Sequence, residues 1–193
     1  MRTATITRKT RETDVVLSLN LDGAGRADIS TGIGFFDHML TAFAVHSGVD
    51  LSVDCKGDLQ VDCHHTIEDV GIVLGQAFLQ AVGDRAGIAR YGHFLLPMDE
   101  ALAMAAIDIG GRAYLVFDAE FQSDRIGAMD TQMVAEFWRA FAMNADVTLH
   151  IKLLYGGNDH HKVEAIFKAA AHAVKMAVAA HGDQAILSTK GCL

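Results

Sequence analysis

Two copies of one ligand pattern dominate this chain. His64 and His65 are followed by Glu68, and His160 and His161 are followed by Glu164, so H-H-x-x-E recurs at a spacing of 96 residues. A solitary histidine is usually structural, but six ligating side chains in two matched sets point to a duplicated half-domain that binds metal. Imidazole and carboxylate without a thiolate pair suit Mn, Fe, Zn or Ni better than softer ions. On an α-helix each residue advances by about 100°. His64 therefore shares a face with Glu68, as does His65. The two adjacent histidines diverge by the same angle and are better placed to serve two ions than to chelate one.

The duplication suggests further ligands. FAVHSGVDL (43–51) aligns with FAMNADVTL (141–149) at an offset of 98, which sets His38 in FFDHML against Glu136 in VAEFW. Both residue types bind metals, and eight ligands would make two four-ligand sites. Cys63, beside His64, reads as a packing or turn residue. A second group is basic: Arg90 in GIARYG, Arg112 in GGR, and Ser188 and Lys190 in STKG. Two guanidinium groups, an ammonium and a hydroxyl form a reasonable phosphate clamp. A third group is acidic. Glu12, and Asp99 with Glu100 after the only proline, could act as general acids or bases.

These side chains need elements to hold them. Residues 3–7 and 14–21 alternate or run apolar as strands do, and LDGAG (21–25) is a turn signal between strands. Apolar spacing predicts a helix from Gly34 or Phe35 to Gly48. Next come VDLSVDC (49–55) and GDLQVD (57–62), with Lys56-Gly57 read as the turn between them. The first H-H-x-x-E opens a helix to about Val82. The order then repeats, with strands at 101–109 and 113–120, a helix at about 131–143, a strand at 148–155 and a helix from His160 to about Ala180. Gly25-Arg26-Ala27 and Gly111-Arg112-Ala113 fall in corresponding hairpins. The expected fold is α+β, a tandem duplication of a strands–helix–strand–helix unit with halves at about 1–90 and 91–193. No linker separates the halves, so residues 1–193 should share one core as a single domain.

Composition narrows the function. The chain has 193 residues, 51% hydrophobic and 21% charged, which is ordinary for a globular protein. A net charge of −8 argues against binding to a nucleic-acid backbone, while a few local arginines can still hold one phosphate. MRTATITRKT carries no apolar signal-peptide core, and no apolar run reaches membrane-spanning length. Cys55, Cys63 and Cys192 are odd in number and lack C-x-x-C spacing, so no disulfide framework is expected and a reducing cytoplasm is the default.

Together the motifs resemble the imidazoleglycerol-phosphate dehydratase family of histidine biosynthesis. They are RKTRET (8–13), TGIGFFDHML (31–40), DCHHTIEDVGIVLG (62–75), GIARYG (87–92), PMDEAL (97–102), LHIKLLYGGNDHHKVEAIFKA (149–169) and STKG (188–191), and they span nearly the whole chain. The resemblance implies helices packed between two four-stranded sheets and a 24-subunit shell. It implies active sites between subunits, each with two manganese ions. It implies that His38, His64, His65, Glu68, His160, His161 and Glu164 are metal ligands; position 136 is His in many members, and here a Glu. Arg90, Arg112, Ser188 and Lys190 match residues at the substrate phosphate, and Glu12 and Asp99 match polar positions near the substrate. The implied reaction dehydrates D-erythro-imidazoleglycerol phosphate to imidazole-acetol phosphate, with two ions holding the ring as imidazolate. Glu68 or Glu164 would be the base. A two-ion metallohydrolase and a metal-storage protein are the competing readings; the former would activate a water, and the latter needs no phosphate clamp.

Overall fold

Along Thr13–Asn20 every second side chain is apolar and buried (Val15, Leu17, Leu19), and the residues between them are more exposed. This period of two makes a strand with one face on a core. The computed structural model, which describes residues 1–181 and 186–189, repeats the pattern in two sheets. The first half runs β1 (Thr3–Lys9), β2 (Thr13–Asn20), β3 (Ala27–Ser30), α1 (Gly34–Ser47), β4 (Asp50–Gly57) and α2 (His64–Val82). The second runs β5 (Tyr91–Met98), β6 (Ala101–Asp108), β7 (Tyr114–Asp118), a small hairpin of β8 (Arg125–Ile126) and β9 (Met129–Asp130), α3 (Met133–Ala145), β10 (Thr148–Tyr155) and α4 (Asp159–Ala177).

The four-stranded sheets have the orders β1-β2-β4-β3 and β5-β6-β10-β7. These are the same topology, with the last strand of each parallel to its neighbour and the other pairs antiparallel. The chain is therefore an α+β tandem duplication. The helices do not stay within their own halves. α2 lies on β1 and β2, and α4 on β5 and β6, but α1 packs against α4 and α3 against α2. Each helix pair thus takes one member from each half, and the helical layer joins the two sheets. Its centre is aromatic, with Phe36 edge-on to Phe137 at 5.3 Å and Phe137 stacked on Phe167 at the same separation. Burying such rings supplies much of the apolar stabilisation.

The helix ends also repeat. Gly48 closes α1 at φ 79 and Asp146 closes α3 at φ 55, both left-handed, with their N–H groups donating to the Ala44 and Ala142 carbonyls, the usual way of satisfying a helix C-terminus. At the start of α4 the Asn158 side chain accepts from the His160 and His161 N–H groups, as an N-cap does. At the start of α2 the Asp62 carboxylate accepts from the His64 N–H at 2.7 Å. The two capping residues are 96 apart, like the histidines they precede. No described helix is long and apolar enough to cross a membrane.

Several sequence expectations are corrected. β5 is an addition to them, because Tyr91–Met98 reads as motif rather than as alternation. Lys56 and Gly57 are not a turn. Strand β4 continues through them, paired with Asp14 and Thr13. Residues 58–62 are not a strand; Val61 N–H closes a turn onto the Asp58 carbonyl at 2.8 Å, leaving Val61 exposed. The Gly25 and Gly111 segments do correspond, but as crossovers. β3 skips over the place of β4 and joins its far side, so β2 and β3 are not a hairpin.

Candidate active site

The first two turns of α4 carry His160, His161 and Glu164, and α1 brings His38 alongside. His160 Nε2 lies 3.1 Å and His38 Nε2 3.5 Å from the same Glu164 oxygen, and one ligand atom from each of the three lies within 4.8 Å of the others. Phe35 packs edge-on against His160 with centroids 4.9 Å apart, backing the ligand set with an apolar wall. Glu164 is nearly buried, its side chain 8% exposed. Burial raises its carboxyl, but the Lys168 ammonium at 2.6 Å and His38 more than offset that, and the net shift is downward. Glu164 is thus held as an anion facing two imidazoles.

The corresponding turn of α2 is more open. His64 Nε2 stands 3.7 Å from Glu68, and the Glu68 side chain is 45% exposed. Glu136 lies near the start of α3 as His38 lies near the start of α1, but its carboxylate pairs with Arg139 at 3.2 Å. Among the described residues, the His38, His160 and Glu164 group is the one cluster of three or more ligand atoms at metal-binding spacing.

The second histidine of each pair turns elsewhere. In both pairs the rings stand 6.1 Å apart, at 75° and 78°. His65 Nδ1 meets Asp58 at 3.0 Å, and its Nε2 faces Glu12 at 3.7 Å. His161 Nδ1 meets Glu100 at 2.8 Å, and its Nε2 faces Asp99 at 3.5 Å. These carboxylates push both imidazoles above their ordinary pKa. Glu100 is held down at about 2, by the Asn158 N–H first and by His161 next. Glu12 and Asp99 lie in the β1–β2 and β5–β6 connections, so the two sheets offer an acid to equivalent histidines.

Sequence reasoning missed Asp58 and the insertion between β7 and α3. The first half passes from β3 to α1 through residues 31–33 alone, whereas the second takes residues 119–132. That longer segment is tied to the residue before each histidine pair. Asp159 accepts from Gln122 and Ser123 N–H at 2.9 and 2.7 Å, and Cys63 Sγ accepts from Asp130 N–H at 3.4 Å. Cys63 therefore faces the insertion, and burial pushes its thiol up. The unequal lengths of the two connections were the available signal.

The basic group lies at the other end of the molecule. Arg90 donates twice to Asp108, at 2.7 and 3.1 Å, and once to the Leu187 carbonyl beside Ser188, at 2.5 Å. Its guanidinium borders Gly110, two residues before Arg112, and the Arg112 carbonyl accepts from Thr148. Arg90 thus lies beside the chain segments that carry Arg112 and Ser188; Lys190 falls outside the described residues. The Arg90 N–H donates to the Ala177 carbonyl at the C-terminal end of α4, whereas the ligand histidines are at its N-terminal end. The 19 residues of α4, at ~1.5 Å each, set the two roughly 27 Å apart.

Fold and site define a class: a duplicated α+β protein with imidazole–carboxylate groups at matched helix N-termini. The family model described as imidazoleglycerol-phosphate dehydratase matches residues 31–174. The chain is 57% identical over 193 residues to the imidazoleglycerol-phosphate dehydratase of Methanosarcina barkeri, covering 100% of each. It is 55% identical over 189 residues to that of Acetivibrio thermocellus, covering 97% of each. Among solved structures, the Staphylococcus aureus dehydratase superposes with TM-score 0.84 at 42% identity, over 92% of this chain and 99% of that one. The Pyrococcus furiosus protein gives 0.84 at 34%, over 97% and 100%. The chain belongs to the imidazoleglycerol-phosphate dehydratase family, a family of hydro-lyases.

Proposed function

We propose that this protein removes water from D-erythro-imidazoleglycerol phosphate to give imidazole-acetol phosphate, in the histidine-biosynthetic route of the cytoplasm, with two manganese ions per site. The observation that carries the reading is the triad of His38, His160 and Glu164, whose ligand atoms lie within 4.8 Å of one another around a carboxylate kept ionised. Two imidazoles and a buried carboxylate fit a borderline or hard divalent cation. His38, His160 and Glu164 would hold one ion, and His64 and Glu68 with Glu136 the related one. His65 and His161 point away from their partners and serve to connect the two. Glu136 would first have to leave Arg139.

The proton lost in this dehydration is not next to a carbonyl, so the reaction needs another electron sink. Two ions held by these residues would supply Lewis acidity favouring the anionic substrate ring, whose electron density could expel the adjacent hydroxyl and leave a ring able to take up the C–H electrons. Glu164, or Glu68 in the other half, takes the substrate C–H proton on a carboxylate oxygen. Glu12 and Asp99 orient the hydroxyls and pass a proton to the departing one. Arg90, Arg112, Ser188 and Lys190 bind the phosphate and fix the reacting carbons.

The distance between ligands and clamp bears on assembly. Three carbons separate ring from phosphate, far less than the length of α4, roughly 27 Å at the helical rise per residue. One substrate therefore reaches both only if another copy of the chain lends the clamp. This supports sites between subunits and self-association, for which the 24-subunit shell is the family form. The decisive assay measures turnover and metal content of Glu164→Gln together. Turnover per site that still holds manganese is expected to fall at least ~100-fold, the usual contribution of a general base, whatever metal is lost because Glu164 is also a proposed ligand. Full turnover at full occupancy would remove Glu164 as the base.

A further inference from the structure

His65 and His161 are the only two of the paired histidines whose Nδ1 meets a carboxylate among the contacts of the described residues: Asp58 at 3.0 and 3.1 Å, and Glu100 at 2.8 Å. An ionised carboxylate only accepts, so Nδ1 must carry the hydrogen, and the lone pair of the neutral ring lies on Nε2. In both cases Nε2 is the atom turned toward the acid of the adjoining sheet connection, Glu12 or Asp99.

The two carboxylates do not correspond in the duplication. Asp58 follows β4, seven residues before its histidine. The equivalent loop after β10 is Gly156-Gly157-Asn158, without a carboxylate, and a Cβ on Gly156 would lie 2.9 Å from Ala101 and Lys162. Glu100 instead reaches over from the β5–β6 connection. That loop holds it, since Glu100 Oε1 accepts from Gly157 N–H at 3.1 Å and Asn158 N–H at 2.7 Å, leaving Oε2 for His161. Two halves with different local sequences thus arrive at the same imidazole arrangement from different elements.

We propose that Asp58 and Glu100 are positioning residues that lock His65 and His161 in the Nδ1–H tautomer and so present Nε2 as the ligating atom. The inference rests on the reading of these histidines as ligands. Partners of this kind orient metal-bound imidazoles and affect affinity by about 10–100-fold when lost.

The two sites respond differently to isosteric change. Glu100→Gln must keep its carbonyl oxygen on the Gly157 and Asn158 N–H groups. Its NH2 then faces His161 Nδ1, which is forced to accept, and the ring hydrogen moves to Nε2. Asp58→Asn can rotate to offer its oxygen to His65, so the tautomer there survives. The experiment is a magic-angle-spinning 15N spectrum of the histidine-labelled, metal-free protein, with manganese binding to the same samples measured by calorimetry. One imidazole is expected to change tautomer in Glu100→Gln, with affinity down about 10–100-fold, and none in Asp58→Asn. Asp58→Ala is expected to lose both the tautomer and the affinity. Unchanged tautomers and affinities in Glu100→Gln and Asp58→Ala would overturn the proposal. His161→Ala and His65→Ala separate the two ideas: unaltered manganese binding in both would sink their role as ligands, whatever the tautomers do.

Discussion

At the scale of the residue, the contrast between Glu164 and Glu68 is one of environment. Both stand four residues after the first histidine of their pair, yet one side chain is 8% exposed and the other 45%. A carboxylate so buried would ordinarily rise in pKa, and the Lys168 ammonium is the first of the groups that keep Glu164 ionised. Position 72 on α2, which corresponds to Lys168, is Ile, so Glu68 has no matching ammonium there. Lys168→Met should therefore let the pKa of Glu164 rise, because desolvation then acts with less opposition. If Glu164 is the base, as proposed, activity requires its ionised form and the acid limb of the kcat/KM profile should move to higher pH; an acid limb that stays in place would show that Glu164 does not set it. The residues with their own chemistry (the histidine pairs, Glu68 and Glu164) were legible because type and spacing coincide. Asp58 was not. A lone aspartate after a strand carries no periodic signal, and its role emerges only once folding brings it to His65.

At the scale of the element, the duplication reproduces geometry without reproducing residues. His46 on α1 and His172 on α4 meet at 3.3 Å, Nδ1 to Nε2, with Phe94 stacked on His172. The corresponding positions on α3 and α2 are Asn144 and Gln76, which meet at 3.5 Å. One helix pair is therefore clasped by imidazoles and the other by amides. Burial, aided by Lys168 at His46 and by Lys175 at both, lowers the pKa of the two histidines. The unfolded chain then binds protons more readily, so the clasp contributes fully above the unfolded value of ~6.5 and less as pH falls through it toward the folded values. His46→Asn with His172→Gln would copy the amide clasp. Thermal scans should show the wild type losing more of its Tm between pH 7.5 and pH 5.5 than the double variant does; each kcal/mol shifts Tm by about 2–4 °C in a chain of this size. Parallel curves would mean that the pair does not titrate on unfolding. The strands and helices themselves were largely readable from period. The exchange of helices between halves was not, because it depends on which apolar faces fit. Gly71 and Gly75 of α2 show this. A Cβ at either would come within 3 Å of α3, a closeness that the sequence states only as two glycines in a helix.

At the scale of the whole molecule, the proposed ligands and the proposed clamp lie at opposite ends of α4, and on that reading assembly becomes part of the chemistry. If the clamp of one copy serves the ligands of another, two defects in different copies need not coincide in one site. Arg90→Ala alone and Glu164→Gln alone should each be nearly inactive, the first through weakened phosphate binding and the second through loss of the base. Mixed after dissociation and reassembled, the two should regain activity. A site that draws Arg90 from a Glu164→Gln copy and Glu164 from an Arg90→Ala copy is intact, whereas a site within one chain never is. The recovered kcat per intact site should equal that of the wild type, and a chain carrying both substitutions, mixed with either single variant, should recover nothing. Absence of recovery from a mixture shown by mass spectrometry to contain hybrid particles would place the clamp and the ligands of each site in the same chain, and would require α4 and its neighbours to be arranged differently when substrate is bound.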